Sequence, residues 1–306
     1  MTIRIYLGTQ IEQSLATAVL SYSIRRHTQS EVAIAPLYEA VTAAHIRIPT
    51  PKRTDLQPRT PFTFQRFAIP ELCQYQGRAI YLDSDMLVFR DINELWQQPF
   101  EKPGLLRADL LSVPEPADSV RSPQYSVMLL NCEQLKWSAA QLVNELAEGR
   151  WTYQAFVLEM SPAETKRADL PLGWNDLEKY DPERTALLHY TDMPRQPWLS
   201  VDNPWAGLWC AELLRAVEEG AIARQTVCES VERGWVRPSL LTQVERGIAD
   251  PKQLSDADIK KDRYTFAPPH VWQKYLRHQA LQQQIPRKLF SRVYATSKAV
   301  VARRSR

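Results

Sequence analysis

The chain opens on a strand-like pattern and then changes period. Residues 3–7 (Ile-Arg-Ile-Tyr-Leu) are largely apolar and end on Gly8-Thr9-Gln10, which predicts a first strand closed by a turn. From Ile11 onward Leu15, Val19, Leu20 and Ile24 recur at helical spacing, predicting a helix that reaches His27. Residues 31–37 (Glu-Val-Ala-Ile-Ala-Pro-Leu) read as a second strand. Strand, helix, strand at this spacing predicts a βαβ unit and a mainly parallel sheet. Residues 49–61 are polar, basic and punctuated by Pro49, Pro51, Pro58 and Pro61. A loop this long in a compact domain is more often functional or mobile than idle. Residues 62–73 return to an amphipathic pattern that Pro70 should kink or split.

A continuous apolar run, Ala79-Ile-Tyr-Leu, then meets two carboxylates, Asp83 and Asp85, and passes into Met86-Leu-Val. A helix is expected over 91–96 and another over 139–147, with strands at 104–108, 126–130 and 185–190. Beyond Pro204 strand signals fade, and 208–217 and 221–231 read as helices. The expected organisation is an α/β domain over 1–203 and a mostly helical extension over 204–306. No internal repeat is visible, no stretch approaches 18 uninterrupted apolar residues, and the first residues do not read as a signal peptide.

The 306 residues, 44% of them hydrophobic, suffice for a sizeable core. Cys73, Cys132, Cys210 and Cys228 lie far apart without a Cys-x-x-Cys pair, so free thiols and a cytoplasmic setting are expected. The net charge of +3 conceals a division: residues 263–306 hold ten Lys or Arg and no Asp or Glu. Removing those ten from the 38 basic residues leaves 28 against 35 acidic ones, so the rest of the chain stands at −7.

The chemistry gathers at strand ends. In a parallel α/β sheet, ligands collect where strands terminate. Asp83 and Asp85 end an apolar strand, and residues two apart in an extended segment point to one side. Two hard oxygen ligands there suit Mn²⁺ or Mg²⁺. A lone Asp-x-Asp is often only a cap or turn, but an acidic pair closing a buried strand is costly unless a cation faces it. His189 closes another apolar run, Ala186-Leu-Leu-His, and its imidazole favours Mn²⁺ over Mg²⁺. A histidine there can equally be a structural hydrogen-bonder. Pro194-Arg-Gln-Pro-Trp198 makes a stiff loop that could cover a ligand or simply pack.

Several segments together resemble family 8 of the retaining glycosyltransferases, the glycogenin and bacterial galactosyltransferase group of the GT-A fold. The segment Thr63-Phe-Gln-Arg66-Phe-Ala-Ile-Pro-Glu-Leu resembles the family's helix before the metal motif. Ala79-Ile-Tyr-Leu-Asp-Ser-Asp-Met-Leu-Val resembles its metal-binding strand, and Ser126-Val-Met-Leu-Leu-Asn its next signature strand. Leu170-Pro-Leu-Gly-Trp-Asn175 resembles its Leu-Pro-x-x-Trp-Asn, and His189-Tyr-Thr with Pro197-Trp198 its histidine segment. The resemblance covers residues 1–203 and implies a Rossmann-like, mostly parallel mixed sheet flanked by helices.

It further implies that Asp83, Asp85 and His189 hold the metal. Leu7, Gly8, Thr9, Arg66, Ser84, Asn175 and Trp198 would border a nucleotide-sugar donor, UDP-linked, and a hexosyl group would pass with retention to a carbohydrate or glycolipid acceptor. Asp109 and Gln154, with the Asp-x-Asp pair, are the candidates for catalytic contacts. Two departures bear on the sugar. Gln124-Tyr125-Ser126 stands where the family often has Asn-Ala-Gly, and Tyr153-Gln154 stands where it has Asp-Gln. They leave open a sugar-nucleotide binder without turnover. Asp-x-Asp after a strand also suits phosphotransferases of the haloacid-dehalogenase type, though Leu87 replaces the Thr or Val expected there.

Finally, after Pro286, Leu289, Val293 and Val300 recur at helical spacing beside Arg287, Lys288, Arg292, Lys298, Arg303, Arg304 and Arg306. Over 286–306 this predicts a cationic amphipathic helix able to lie on an anionic bilayer, which would make the protein peripheral to an inner membrane face; the same pattern suits a solvated terminus or a helix packed on the protein body equally well. No nucleic-acid motif accompanies the charge.

Overall fold

The computed structural model describes residues 2–115 and 125–271. The chain divides into two compact units, Met1–His189 and Tyr190–Arg306. The predicted tail helix over 286–306 lies outside the described residues, as does Gln124.

In the first unit β1 (Ile3–Gly8) leads through a 3-10 turn into α1 (Ser14–Arg26), then β2 (Val32–Pro36) and α2 (Leu37–Ala43). The proline loop follows, holding a single 3-10 turn at Thr54–Leu56. The segment expected to be split is split: α3 (Phe62–Gln65) and α4 (Ile69–Leu72) flank a 3-10 turn, with Pro70 in the opening turn of α4, where its missing N–H costs nothing. Next come β3 (Arg78–Asp83), β4 (Met86–Val88), α5 (Asn93–Trp96), β5 (Leu110–Ser112), β6 (Val127–Asn131), α6 (Ala139–Ala147), β7 (Lys166–Ala168), β8 (Asp176–Leu177) and β9 (Leu187–His189).

Six strands form one sheet in the order β2-β1-β3-β6-β5-β7. β1 runs parallel to β2 and β3, β6 runs antiparallel to β3 and β5, and β5 is parallel to β7. The mixed sheet with helices about it is the expected architecture. Its central strands β3 and β6 are apolar on both faces because each face builds a core. Ile80 and Leu82 of β3 enter a cluster with Ile3, Ile5 and Leu7 of β1 and Leu20 and Ile24 of α1. Ala79 and Tyr81 of the same strand enter the other cluster, with Phe64, Phe67 and, from α6, Leu142 and Leu146.

One expected strand is absent. Over 104–108 the chain turns, with Gly104 at φ +77°, and Leu105 and Leu106 stand 59% and 78% exposed. Apolar character there had no layer to face, and the strand forms instead at 110–112, where Leu110 and Leu111 are buried.

β4, β9 and β8 form a second, smaller sheet in the order β4-β9-β8. β4 is antiparallel to β9, and its register sets Met86 opposite His189.

The second unit is helical: α7 (Ala206–Glu218), α8 (Arg224–Glu232), α9 (Ser239–Arg246) and α10 (Asp256–Thr265). Trp209, Leu213, Val227 and Leu240 are buried. Arg237, with no exposure, is tied to Ser239, Gln243 and the Pro197 carbonyl. Among the described residues no helix is long and apolar enough to cross a membrane.

Candidate metal centre

The centre is assembled by two registers. β3 delivers Asp83 at its carboxyl end beside Gly8 of β1, and the chain turns through Ser84 and Asp85 into β4. The pairing of Met86 with His189 then sets the imidazole against Asp85. His189 Nε2 lies 3.1 Å from Asp85 Oδ1. Ligand atoms of Asp83, Asp85 and His189 all lie within 4.8 Å of one another. Around an octahedral ion with bonds of about 2.1 Å, adjacent ligands stand about 3 Å apart and opposite ones about 4 Å. The donor set fits a divalent cation, and one nitrogen with two carboxylates suits Mn²⁺ better than Mg²⁺.

The surroundings have the character of a ligand site. His189 Nδ1 is 3.0 Å from Asn175 Oδ1. An imidazole that donates its Nδ1 proton to this oxygen turns the lone pair of Nε2 toward the carboxylates, the arrangement metal-binding histidines use. Burial, and then the charge of Asp85, push the Asp83 carboxyl above the usual carboxylate range, with His189, Tyr81 and Ser126 opposing. Burial alone would lower the His189 imidazole. The charge and hydrogen bond of Asp85, with Asp83 and Glu178, outweigh it and raise it. Without an ion the Asp83 carboxyl and the His189 imidazole therefore tend to hold protons in place of a cation.

Backbone bonds fix the turn. The Asp83 N–H donates to the Ser126 carbonyl at 3.1 Å and the Ser84 N–H to the Gly8 carbonyl at 3.1 Å. The Ser84 hydroxyl, 2% exposed, donates to Gln13 Oε1 at 3.2 Å.

Other predicted site residues fall into three groups. Gly8 borders the centre, and Asn175 reaches it by orienting His189. Thr9 is buried, its hydroxyl paired with Thr17 at 2.8 Å, and the Leu7 side chain lies wholly in the core, so neither side chain presents itself to a donor. Arg66 was expected to touch the donor, but its Nη2 donates to the Val157 carbonyl at 2.6 Å. Gln154 sits in a π-helical turn, Gln154–Leu158, where its amide donates to Glu159 Oε1 at 2.9 Å.

Two expectations are corrected. Asp109 precedes β5, and its carbonyl accepts from Asn131, which pairs with Arg78 at the start of β3. Asp83 is at the other end of that strand, five residue steps or roughly 16 Å away, so Asp109 makes no contact at this centre. Its carboxylate instead accepts from the Thr165 N–H at 2.9 Å. Trp198 belongs to the second unit, 1% exposed, with its ring against Tyr190 and Trp209 at 6.4 and 5.3 Å, so its side chain is spent on packing within that unit. Asp176, another acid near the Trp-Asn segment, is engaged by Thr185 and Arg184.

The sequence reading missed Tyr81. Its spacing from Asp83 was a signal, since both lie on one side of the strand, but a tyrosine within an apolar run reads as core. Its phenol donates to Asp83 Oδ1 at 2.6 Å.

Residues 21–108, which include both aspartates, match the model of glycosyl transferase family 8. That match covers less than a third of the chain, within its first unit, and makes this segment similar to family 8 glycosyltransferases. A curated relative, Protein CDI of Arabidopsis thaliana, is 25% identical over 217 residues, spanning 67% of this chain and 80% of that protein. Among solved structures, the apo form of the bifunctional glycosyltransferase WbbM superposes with a TM-score of 0.52 at 14% identity, over 72% of this chain and 51% of that one. The apo glycosyltransferase GlyE of Streptococcus pneumoniae TIGR4 gives 0.50 at 17% identity, over 70% and 60%. The chain thus spans only about half to three-fifths of these two proteins, and the likeness to them is one of fold, the GT-A fold.

Proposed function

We propose that the protein transfers a hexosyl group from a nucleotide-diphosphate sugar, UDP-linked, to a carbohydrate or glycolipid acceptor, with retention of configuration and with Mn²⁺ or Mg²⁺ held by Asp83, Asp85 and His189. The observation that carries this is the convergence of the three side chains at two strand ends, with His189 oriented by Asn175. The catalytic region is residues 1–203, and the remainder is a helical extension.

Breaking the sugar–phosphate bond leaves charge on the departing diphosphate, and a bound divalent ion offsets such charge as a Lewis acid, an effect worth several kcal/mol. The chain's own part is to hold the two carboxylates and the imidazole in one geometry. Gly8 leaves the end of β1 free of a side chain. Arg66 donates to the Val157 carbonyl, a neutral partner that leaves its charge intact, and that charge is felt at Tyr81 beside the centre. The setting we propose is cytoplasmic, with the basic tail on an anionic membrane face. Tyr125, in place of a small residue, favours a second reading, a binder of sugar nucleotides that does not turn them over.

Thermal melting with UDP-, GDP- and TDP-sugars, with and without Mn²⁺, tests the proposal, because a ligand selective for the folded state raises the melting temperature. UDP-sugars should raise it only with Mn²⁺, and Asp85→Asn should abolish the rise. A rise that needs no metal overturns the proposal. Donor hydrolysis with Mn²⁺ present separates transferase from binder.

A further inference from the structure

We propose that Tyr81 is a positioning residue for the metal ligand Asp83 and that Gly8 is a glycine in order to leave room for its phenol. The inference rests on the metal-centre reading above and adds a residue that reading did not require.

Two observations carry it independently. The first is the hydrogen bond. Tyr81 and Asp83 stand two apart on β3 and share a side of the strand. The Tyr81 side chain is 1% exposed within the cluster that contains Phe64 and Phe67, so its hydroxyl has a fixed position. From there it donates to Asp83 Oδ1 at 2.6 Å. A phenol donating to a carboxylate at this length is a strong, charge-assisted bond. It occupies one carboxylate oxygen and so restricts the rotation of the group that carries the ligand atom.

The second is the glycine. Gly8 pairs with Asp83 across β1 and β3. Its backbone is not in the left-handed region, so no turn demands a glycine. A methyl group there would lie 2.2 Å from Tyr81 Oη, 2.8 Å from its Cζ and 3.0 Å from Phe62 Cδ2. Any side chain at position 8 must therefore displace the phenol or move the strand. The absence of a side chain at 8 and the hydroxyl at 81 are two halves of one arrangement. Ligands fixed by such outer partners lose about 10–100-fold in metal affinity when the partner is removed.

The test is titration of the full-length, metal-free protein with Mn²⁺ alone, followed by calorimetry or by the electron paramagnetic resonance signal of free Mn²⁺. Tyr81→Phe keeps the ring and removes the hydroxyl. Its Mn²⁺ affinity should fall about 10–100-fold while the circular dichroism spectrum is unchanged. Gly8→Ala, which crowds the phenol from the other side, should weaken Mn²⁺ in the same direction and answers the question if Tyr81→Phe does not fold. Tyr6→Phe removes a phenol that lies beside Cys73 and touches no ligand, and should bind Mn²⁺ as the parent does. Parent-like Mn²⁺ affinity in Tyr81→Phe overturns the proposal, including the case where only its melting temperature falls, since that is a purely structural role. If the parent protein itself does not bind Mn²⁺, or binds it undiminished in Asp85→Asn, the metal-centre reading fails and this inference fails with it.

Discussion

Asp83 is a carboxylate placed where ionisation is unfavourable, and that has a consequence for stability. Burial and the neighbouring Asp85 raise it above the ordinary carboxylate range. A group whose folded pKa lies above its unfolded one stabilises the fold below the unfolded value, and that contribution is lost as the pH rises through the folded value. Metal-free Asp83→Asn, which carries no charge at any pH, should therefore melt above the parent at pH 8. The advantage should shrink as the pH falls into the ordinary carboxylate range, and Mn²⁺ should stabilise the parent alone. Melting curves across that window, with chelator and with Mn²⁺, check the sign. A variant less stable than the parent at pH 8 would refute it. Asp83, Asp85 and His189 were legible in the sequence because each closes an apolar run, and strand ends are where α/β sheets bind. Asp109 was misread by the same rule. It sits next to a strand, but only the antiparallel pairing of β5 with β6 reveals which end of the sheet it occupies, and pairing direction leaves no mark on a single strand.

At the scale of elements, the centre depends on how a short turn is packed. The 3-10 turn Leu172–Asn175 carries Asn175 to His189, and it does so in close contact with the chain at Arg184. A methyl group on Gly173 would lie 2.3 Å from the Arg184 carbonyl oxygen and 3.5 Å from the Ala186 nitrogen, and both are backbone atoms. The Ala186 N–H also donates to the Gly173 carbonyl at 2.8 Å. Gly173→Ala must therefore shift the turn or the approach to β9. We expect a loss of about 1–3 kcal/mol in urea unfolding, the usual cost of overpacking. Because Asn175 travels with the turn, Mn²⁺ affinity should fall as well. Unfolding at the parent midpoint would show that the turn has slack. The main strands and α1, α6, α7 and α8 could be read from periodicity, since their apolar residues feed a layer. The segment at 104–108 could not, because its leucines are apolar without being buried.

Over the whole molecule, charge is distributed so that one end of the sequence differs from the rest. Residues 263–306 carry ten basic residues and no acidic ones, against a balance of −7 elsewhere. A basic residue close to an anionic bilayer contributes about 1 kcal/mol. Seven of the ten follow Gln284, so a chain ending there should lose most of any affinity for vesicles that mix anionic and zwitterionic lipids. The interaction of the full chain should weaken steeply as salt is raised, because exposed charges are screened beyond about 8 Å at physiological ionic strength. Mn²⁺ affinity should be the same in both, since all three ligands lie in the first unit. Cosedimentation at low and high salt decides the matter: equal vesicle binding by the full and shortened chains would remove the membrane from the account while leaving the metal centre standing. A loss of Mn²⁺ affinity on shortening would instead mean that the tail serves the catalytic unit.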